Sequence, residues 1–292
     1  MFLYFMPLFR QNSWEELLLI SRFAAPTSSG ILFSMLTAAG LGMTWVFKKV
    51  RVLAILDDVD TVILLVPLQL LLGGTRYTLL AILVVVIALL YCCWVFLHKI
   101  RLPTSRIWLF FYSLLLASIL EAFHLGIAAK IEILLPAFVW GAMLINPHSD
   151  LKRYRHEHEY FEPVERSWKL FDYAIKITFM FVVGLLLPKV ALGELNPWVT
   201  ILHVLVVTFL ANLGKCFSLF FYKDQATLRE RVAVSIGMFP RGEVGAGILV
   251  LAIEHGAGGY ATSVAGLSLA LNLFLTGLFI WIVLRLVPKE AV

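Results

Sequence analysis

Nine apolar runs dominate the chain, at about 16–43, 52–73, 77–98, 107–127, 131–147, 170–188, 197–222, 232–255 and 262–285. Most approach the ~20 residues that a helix needs to cross a ~30 Å hydrocarbon core. Each run is continuous rather than alternating, which excludes a transmembrane β-barrel, where apolar and polar residues take turns. The breaks between runs are turn chemistry or charge, such as GGTR at 73–76, GELNP at 193–197 and HGAGGY at 255–260. In lipid every backbone polar group must find a partner within the chain, and a helix does this locally. The expected fold is therefore an all-α polytopic membrane protein of about nine transmembrane helices. Composition agrees: 61% of residues are hydrophobic and 15% charged, against roughly a quarter charged in a soluble domain.

The basic residues sort by side. Lys48, Lys49, Arg51, Lys99, Arg101, Arg106, Lys152, Arg153, Arg155, Arg166, Lys169, Lys223, Arg229, Arg231, Arg285 and Lys289 make sixteen on one face, against Arg76, Lys130 and Lys189 on the other. By the positive-inside rule the sixteen are cytoplasmic, which puts the C-terminus inside and the N-terminus outside. The net charge of +5 reads through this placement and not as a nucleic-acid signal. Cys92, Cys93 and Cys216 all fall in apolar runs, so neither a disulfide framework nor a cysteine metal site is expected. The start lacks a basic leader and a small-residue cleavage site, and is not read as a signal peptide. The charged stretch 148–169 divides the chain into membrane blocks 1–147 and 170–292.

Several charges lie inside the runs. Asp57, Asp58 and Asp60 interrupt ILDDVDTVIL at 55–64, and Lys215, Arg241 and Glu243 sit in later runs. A charge at the bilayer centre costs between ~3 and over ~10 kcal/mol, so such residues usually serve a purpose. At a rise of 1.5 Å per residue from the nearest cytoplasmic charge, Asp58 lies roughly 10 Å deep, Lys215 roughly 12 Å, and Arg241 and Glu243 roughly 15–18 Å. Acids and bases from three runs thus share a depth. Structural salt bridges are one reading, but two adjacent aspartates against one lysine leave surplus negative charge, which suits a cation or proton site. Two runs are also broken, at AAPTSSGILF (24–33) and GMFPRGEVGAG (237–247). A pair of interrupted spans, one in each half, points to a transport site at crossed half-helices.

Two carboxylates in a desolvated site can take up and release protons near neutral pH. A site that holds either protons or a small cation is the physical core of an exchanger. Asp58 is expected to carry the cation and proton, with Asp57 pairing with Lys215 when no cation is bound. Asp60, three residues past Asp57 and on roughly its face, is either a third ligand or a charge behind the ligands.

These residues resemble the bacterial sodium/proton antiporter family, the monovalent cation:proton antiporters. ILDDVDTVIL is similar to the family's aspartate-pair helix, PTSSG to its unwound Thr-Ser helix, and GMFPRGEVG to its Arg-Gly-Glu-Val segment; Lys215 stands where aspartate-pair members carry a membrane lysine. The order agrees from about residue 14 to 285. The resemblance implies a core domain with crossed broken helices moving against a dimerisation domain, and electrogenic exchange of Na⁺, Li⁺ or K⁺ for H⁺ in the bacterial inner membrane. It implies Asp58 as main ligand, Asp57 with Lys215 as the switchable pair, Thr27 and Ser28 as contributors from the helix break, and Glu243, with Arg241, in support. Family members usually have twelve or thirteen spans, so nine imply that the first three or four are missing. The expected partners are then a second copy or a missing N-terminal half, and the competing reading is a non-transporting remnant or a partner subunit of a split transporter. HEHE at 156–159 reads as a solvated loop segment. An intramembrane aspartyl protease needs two aspartates facing from different helices, which Asp57 and Asp58 are not. With no phosphate loop, dinucleotide fingerprint or nucleophile elbow, no enzyme activity and no cofactor are expected.

Overall fold

The computed structural model of the chain describes residues 13–73, 91, 106–127, 137, 166–186 and 197–287. Among them every regular element is a helix. In chain order these are α1 (Trp14–Ser21), a 3-10 turn (Arg22–Ala24), α2 (Ser29–Ala38), α3 (Trp45–Gly73), α4 (Arg106–Ile127), α5 (Arg166–Leu186), α6 (Pro197–Lys215), α7 (Ser218–Phe221), α8 (Leu228–Gly237), α9 (Glu243–Glu254) and α10 (Gly259–Leu286). Seven of the nine apolar runs coincide with described helices. The runs at 77–98 and 131–147, and the HEHE segment, lie outside the described residues save for isolated positions. The chain forms two compact units, Met1–Leu68 with Leu170–Val292, and Gln69–Lys169. The dividing loop 148–169 is described only from residue 166, where α5 begins.

Among the described residues three stretches are long and apolar enough to cross a membrane: Trp14–Ala38, Pro197–Phe221 and Gly259–Leu286. At 29 residues α3 has the length, but Lys48, Lys49, Arg51, Asp57, Asp58 and Asp60 break its apolar surface. The faces of α6 show which solvent these helices suit. Ile201, Leu202, Leu205, Phe209 and Leu213 are exposed, while Thr200, His203, Thr208, Asn212 and Lys215 are buried. A soluble helix is arranged the other way, with its apolar stripe inward. In the second unit α4 exposes Ile107, Trp108, Phe110, Phe111, Leu114 and Leu115, an apolar surface that lipid tolerates and water does not.

Local chemistry sets the helix ends. Thr227 and Glu230 close a capping box at the start of α8, with Thr227 N–H donating to Glu230 Oε2 at 2.8 Å; this satisfies two donors that a helix start leaves open. α2 ends at Gly40, whose φ of 81° belongs to the left-handed region. There Leu41 N–H reaches back to Leu36 O at 3.0 Å, the glycine-dependent stop of the Schellman motif. The core of the first unit gathers Leu32 and Leu36 from α2, Val46, Phe47, Val50 and Ala54 from α3, Ala233 and Val234 from α8, and Ile280 and Val283 from α10. Val46, Val50 and Ala54 are four apart, one stripe of α3, and this stripe turns α3 so that Asp57 and Asp58 follow it into the unit.

Candidate cation and proton site

Both broken runs stay broken in the folded chain. The first leaves its 3-10 turn at Ala24 and re-enters helix at Ser29, so Ala25, Pro26, Thr27 and Ser28 are not helical. Pro26 has no N–H to give and so cannot continue the hydrogen-bond ladder of the helix. The second leaves α8 at Gly237 and re-enters at Glu243. The two gaps meet: Ser28 N–H donates to Pro240 O at 2.8 Å, and Thr27 Oγ1 lies 3.1 Å from Met238 O. Glycines permit the approach. A Cβ on Gly242 would stand 2.8 Å from Ser28 Oγ, and one on Gly245 only 2.6 Å from the backbone oxygen of Phe23.

A helix break in lipid strands carbonyl groups that need donors, and two cations supply them here. Arg241, only 1% exposed, donates from Nε to Ala24 O at 2.9 Å, from Nη1 to Phe239 O at 3.1 Å and from Nη2 to Ala211 O at 2.8 Å. Its Nη1 also reaches Asn212 Oδ1. Asn272 Nδ2 donates to that same oxygen at 3.0 Å, while Asn272 Oδ1 accepts from Arg241 N–H at 3.2 Å. Lys215, the last residue of α6, donates from Nζ to Ala25 O. Arg241 is thus spent on backbone carbonyls and amides and not on a carboxylate.

The acids have different surroundings. Asp57 Oδ2 lies 2.5 Å from Lys215 Nζ and accepts from Thr27 Oγ1 at 2.7 Å. Thr27 has one hydroxyl proton, so it serves either Asp57 or Met238 O at a given moment. Asp58 is half-buried, and its Oδ1 is buried with no hydrogen-bond partner. The charges whose fields reach Asp58 are those of Asp57, Glu243 and Lys215. Glu243 heads α9, where the N-terminal end of the helix dipole favours an acid, and its Oε2 accepts from Ser28 Oγ at 3.0 Å. Asp60 is exposed, and its field reaches Arg22.

The structure therefore brings Thr27, Ser28, Asp57, Asp58, Lys215, Arg241 and Glu243 together and leaves Asp60 outside that group. Sequence reasoning missed Asn212 and Asn272, which hold Arg241. The available signal was spacing, since Asn212 precedes Lys215 by three residues on the same helix face. It also missed the pairs Thr208–Ser268 at 2.8 Å, Ser218–Ser235 at 2.6 Å and His203–Tyr260 at 2.7 Å.

A search among curated proteins finds no match. A family model described as "Sodium/hydrogen exchanger, transmembrane" matches residues 1–285, nearly the whole chain and every part of the site above. Proteins of this family are membrane transporters that move monovalent cations against protons. The chain belongs to the sodium/hydrogen exchanger family and is a membrane protein of cation/proton antiport.

Proposed function

We propose that this chain exchanges Na⁺, or Li⁺ or K⁺, for H⁺ across a bacterial plasma membrane by alternating access at Asp57 and Asp58. One observation carries the reading. Of two adjacent carboxylates, Asp57 is gripped by Lys215 and Thr27, while Asp58 keeps a buried oxygen without a partner. An unsatisfied buried carboxylate oxygen is costly, and a proton or a small cation relieves that cost. Only one of the two can do so at a time, so the ions compete for Asp58. Binding at Asp58 adds positive charge beside Lys215 and so weakens its need for, and its hold on, Asp57. This is how occupancy becomes a change in the contacts between α3, α6 and the first helix break. Thr27 follows the same switch, because its proton can turn from Asp57 to Met238 O.

In this reading the two interruptions are crossed half-helices of one core domain, whose nine-span chain keeps its C-terminus in the cytoplasm and its charged loop 148–169 between membrane blocks. Glu243 supports Asp58 with negative field across the crossing, and Arg241 fixes the stranded carbonyls without taking an ion-binding acid out of play. The competition makes a kinetic prediction: lowering pH raises the apparent KM for the cation, because protons occupy Asp58. The test is proton efflux from acid-loaded proteoliposomes on addition of Na⁺, Li⁺ or K⁺, with Asp58→Asn alongside. Cation-driven efflux that the substitution abolishes supports the reading. Efflux that survives Asp58→Asn overturns the site, and silence from a folded wild type overturns the activity.

A further inference from the structure

Five buried side-chain polar atoms among the described residues lack a hydrogen-bond partner: Thr37 Oγ1, Asp58 Oδ1, Thr61 Oγ1, Arg231 Nε and Thr262 Oγ1. Two of them stand on one helix, three residues apart. Thr61 lies on α3 and is 1% exposed. A threonine inside a helix ordinarily donates to the carbonyl four residues back, and Thr208 does so to Val204 O at 2.7 Å and Thr276 to Asn272 O at 3.1 Å. Thr61 has the carbonyl of Asp57 at that position and makes no such bond. Thr37 and Thr262 are orphaned too, but neither has a carboxylate one turn away along its helix.

We infer that Thr61 supplies a neutral oxygen ligand to the cation held by Asp58 and so sets which monovalent cation the site prefers. Side chains three apart on a helix start ~5–6 Å from each other. A cation of calcium-like size sits ~2.3–2.6 Å from its oxygens, so two ligands on opposite sides of it stand roughly 5 Å apart. Side chains that start at that separation can bring a carboxylate oxygen and a hydroxyl oxygen to one ion between them. The chemistry is complementary as well. A carboxylate alone attracts any cation, whereas a hydroxyl that replaces a lost water favours the ion for which dehydration is hardest. Removing the hydroxyl therefore penalises Li⁺ and Na⁺ more than K⁺. The lone pairs that Thr61 leaves unused in the cation-free chain are what an ion would take up, and α3 presents them one turn beyond Asp58, on the side away from Lys48, Lys49 and Arg51.

The inference rests on Asp58 being the cation ligand, and the test separates the two. The purified full chain in detergent is titrated with NaCl, LiCl and KCl by calorimetry at one pH, comparing wild type, Asp58→Asn, Thr61→Val and Thr61→Ser. Valine keeps the shape and loses the hydroxyl; serine keeps the hydroxyl. Thr61→Val is expected to weaken Na⁺ and Li⁺ binding at least ~10-fold, the scale of one lost contact to a charge, with a smaller effect on K⁺. Thr61→Ser is expected to bind close to wild type. Wild-type affinity in Thr61→Val, or equal weakening in Thr61→Ser and Thr61→Val, overturns the role of Thr61 while Asp58 stands. No cation binding by folded wild type, or binding that persists in Asp58→Asn, overturns the Asp58 reading and this inference with it.

Discussion

Asp57 and Asp58 are chemically identical neighbours, yet the fold treats them differently. Asp57 receives a cation and a hydroxyl, Lys215 and Thr27; Asp58 keeps an oxygen with no partner. The neighbours of each, not its own chemistry, assign the roles, and two substitutions test the division. Asp58→Asn removes the carboxylate that we propose cation and proton share, so antiport in proteoliposomes should fall to background. Lys215→Ala strands the charge of Asp57. Breaking a buried pair by deleting one partner typically destabilises by ~3 kcal/mol, and thermal unfolding should show a lowered Tm on that scale. Adding Asp57→Asn to Lys215→Ala removes the stranded charge and should recover most of the loss, a coupling that a double-mutant cycle reads directly. If the double variant is no more stable than Lys215→Ala alone, the pair contributes nothing and the assignment of Asp57 is wrong.

At the scale of elements, the site exists because two helices fail in the same place. Pro26, and Pro240 with the glycines around Arg241, were legible in the sequence as breaks because the two interruptions fall one in each half of the chain and accompany buried charges. The acids, Lys215 and their shared depth were legible as well, because a helix converts residue count into distance. Azimuth was legible only relative to a neighbour. Three-residue spacing puts Asp60 on roughly the face of Asp57, yet the packing of α3 on α2, α8 and α10 leaves Asp57 half-buried and Asp60 exposed. Nor could spacing tell that Arg241 satisfies carbonyls of the breaks, because those carbonyls are backbone and carry no residue label. The meeting of the breaks makes its own prediction. Gly245→Ala places a methyl 2.6 Å from the oxygen of Phe23, so α9 and the 3-10 turn that leads into the first break must part. A stability loss of ~1–3 kcal/mol, typical of overpacking and read as a lowered Tm, should accompany weakened exchange. Gly247→Ala, with open space at its Cβ, should leave both unchanged.

For the whole molecule, the topology we propose from the sixteen-to-three division of basic residues has the loop after α7 in the cytoplasm and the turn between α9 and α10 outside. In a chain lacking Cys92, Cys93 and Cys216, Asp224→Cys should react with a membrane-impermeant maleimide only from the cytoplasmic face, and Glu254→Cys only from the external face. The reverse pattern would invert the topology. An α6 with polar residues inward and Leu205, Phe209 and Leu213 outward also explains how so apolar a chain keeps a polar site: the polar surface is gathered between helices, where lipid cannot reach it. The exchange we propose turns on competition of cation and proton for Asp58. The most direct measurement adds Na⁺ or Li⁺ to purified protein in weakly buffered detergent and records proton release. Release on cation addition, lost in Asp58→Asn and kept in Asp60→Asn, is the predicted result. Release that persists in Asp58→Asn, or none from folded wild type, would contradict it.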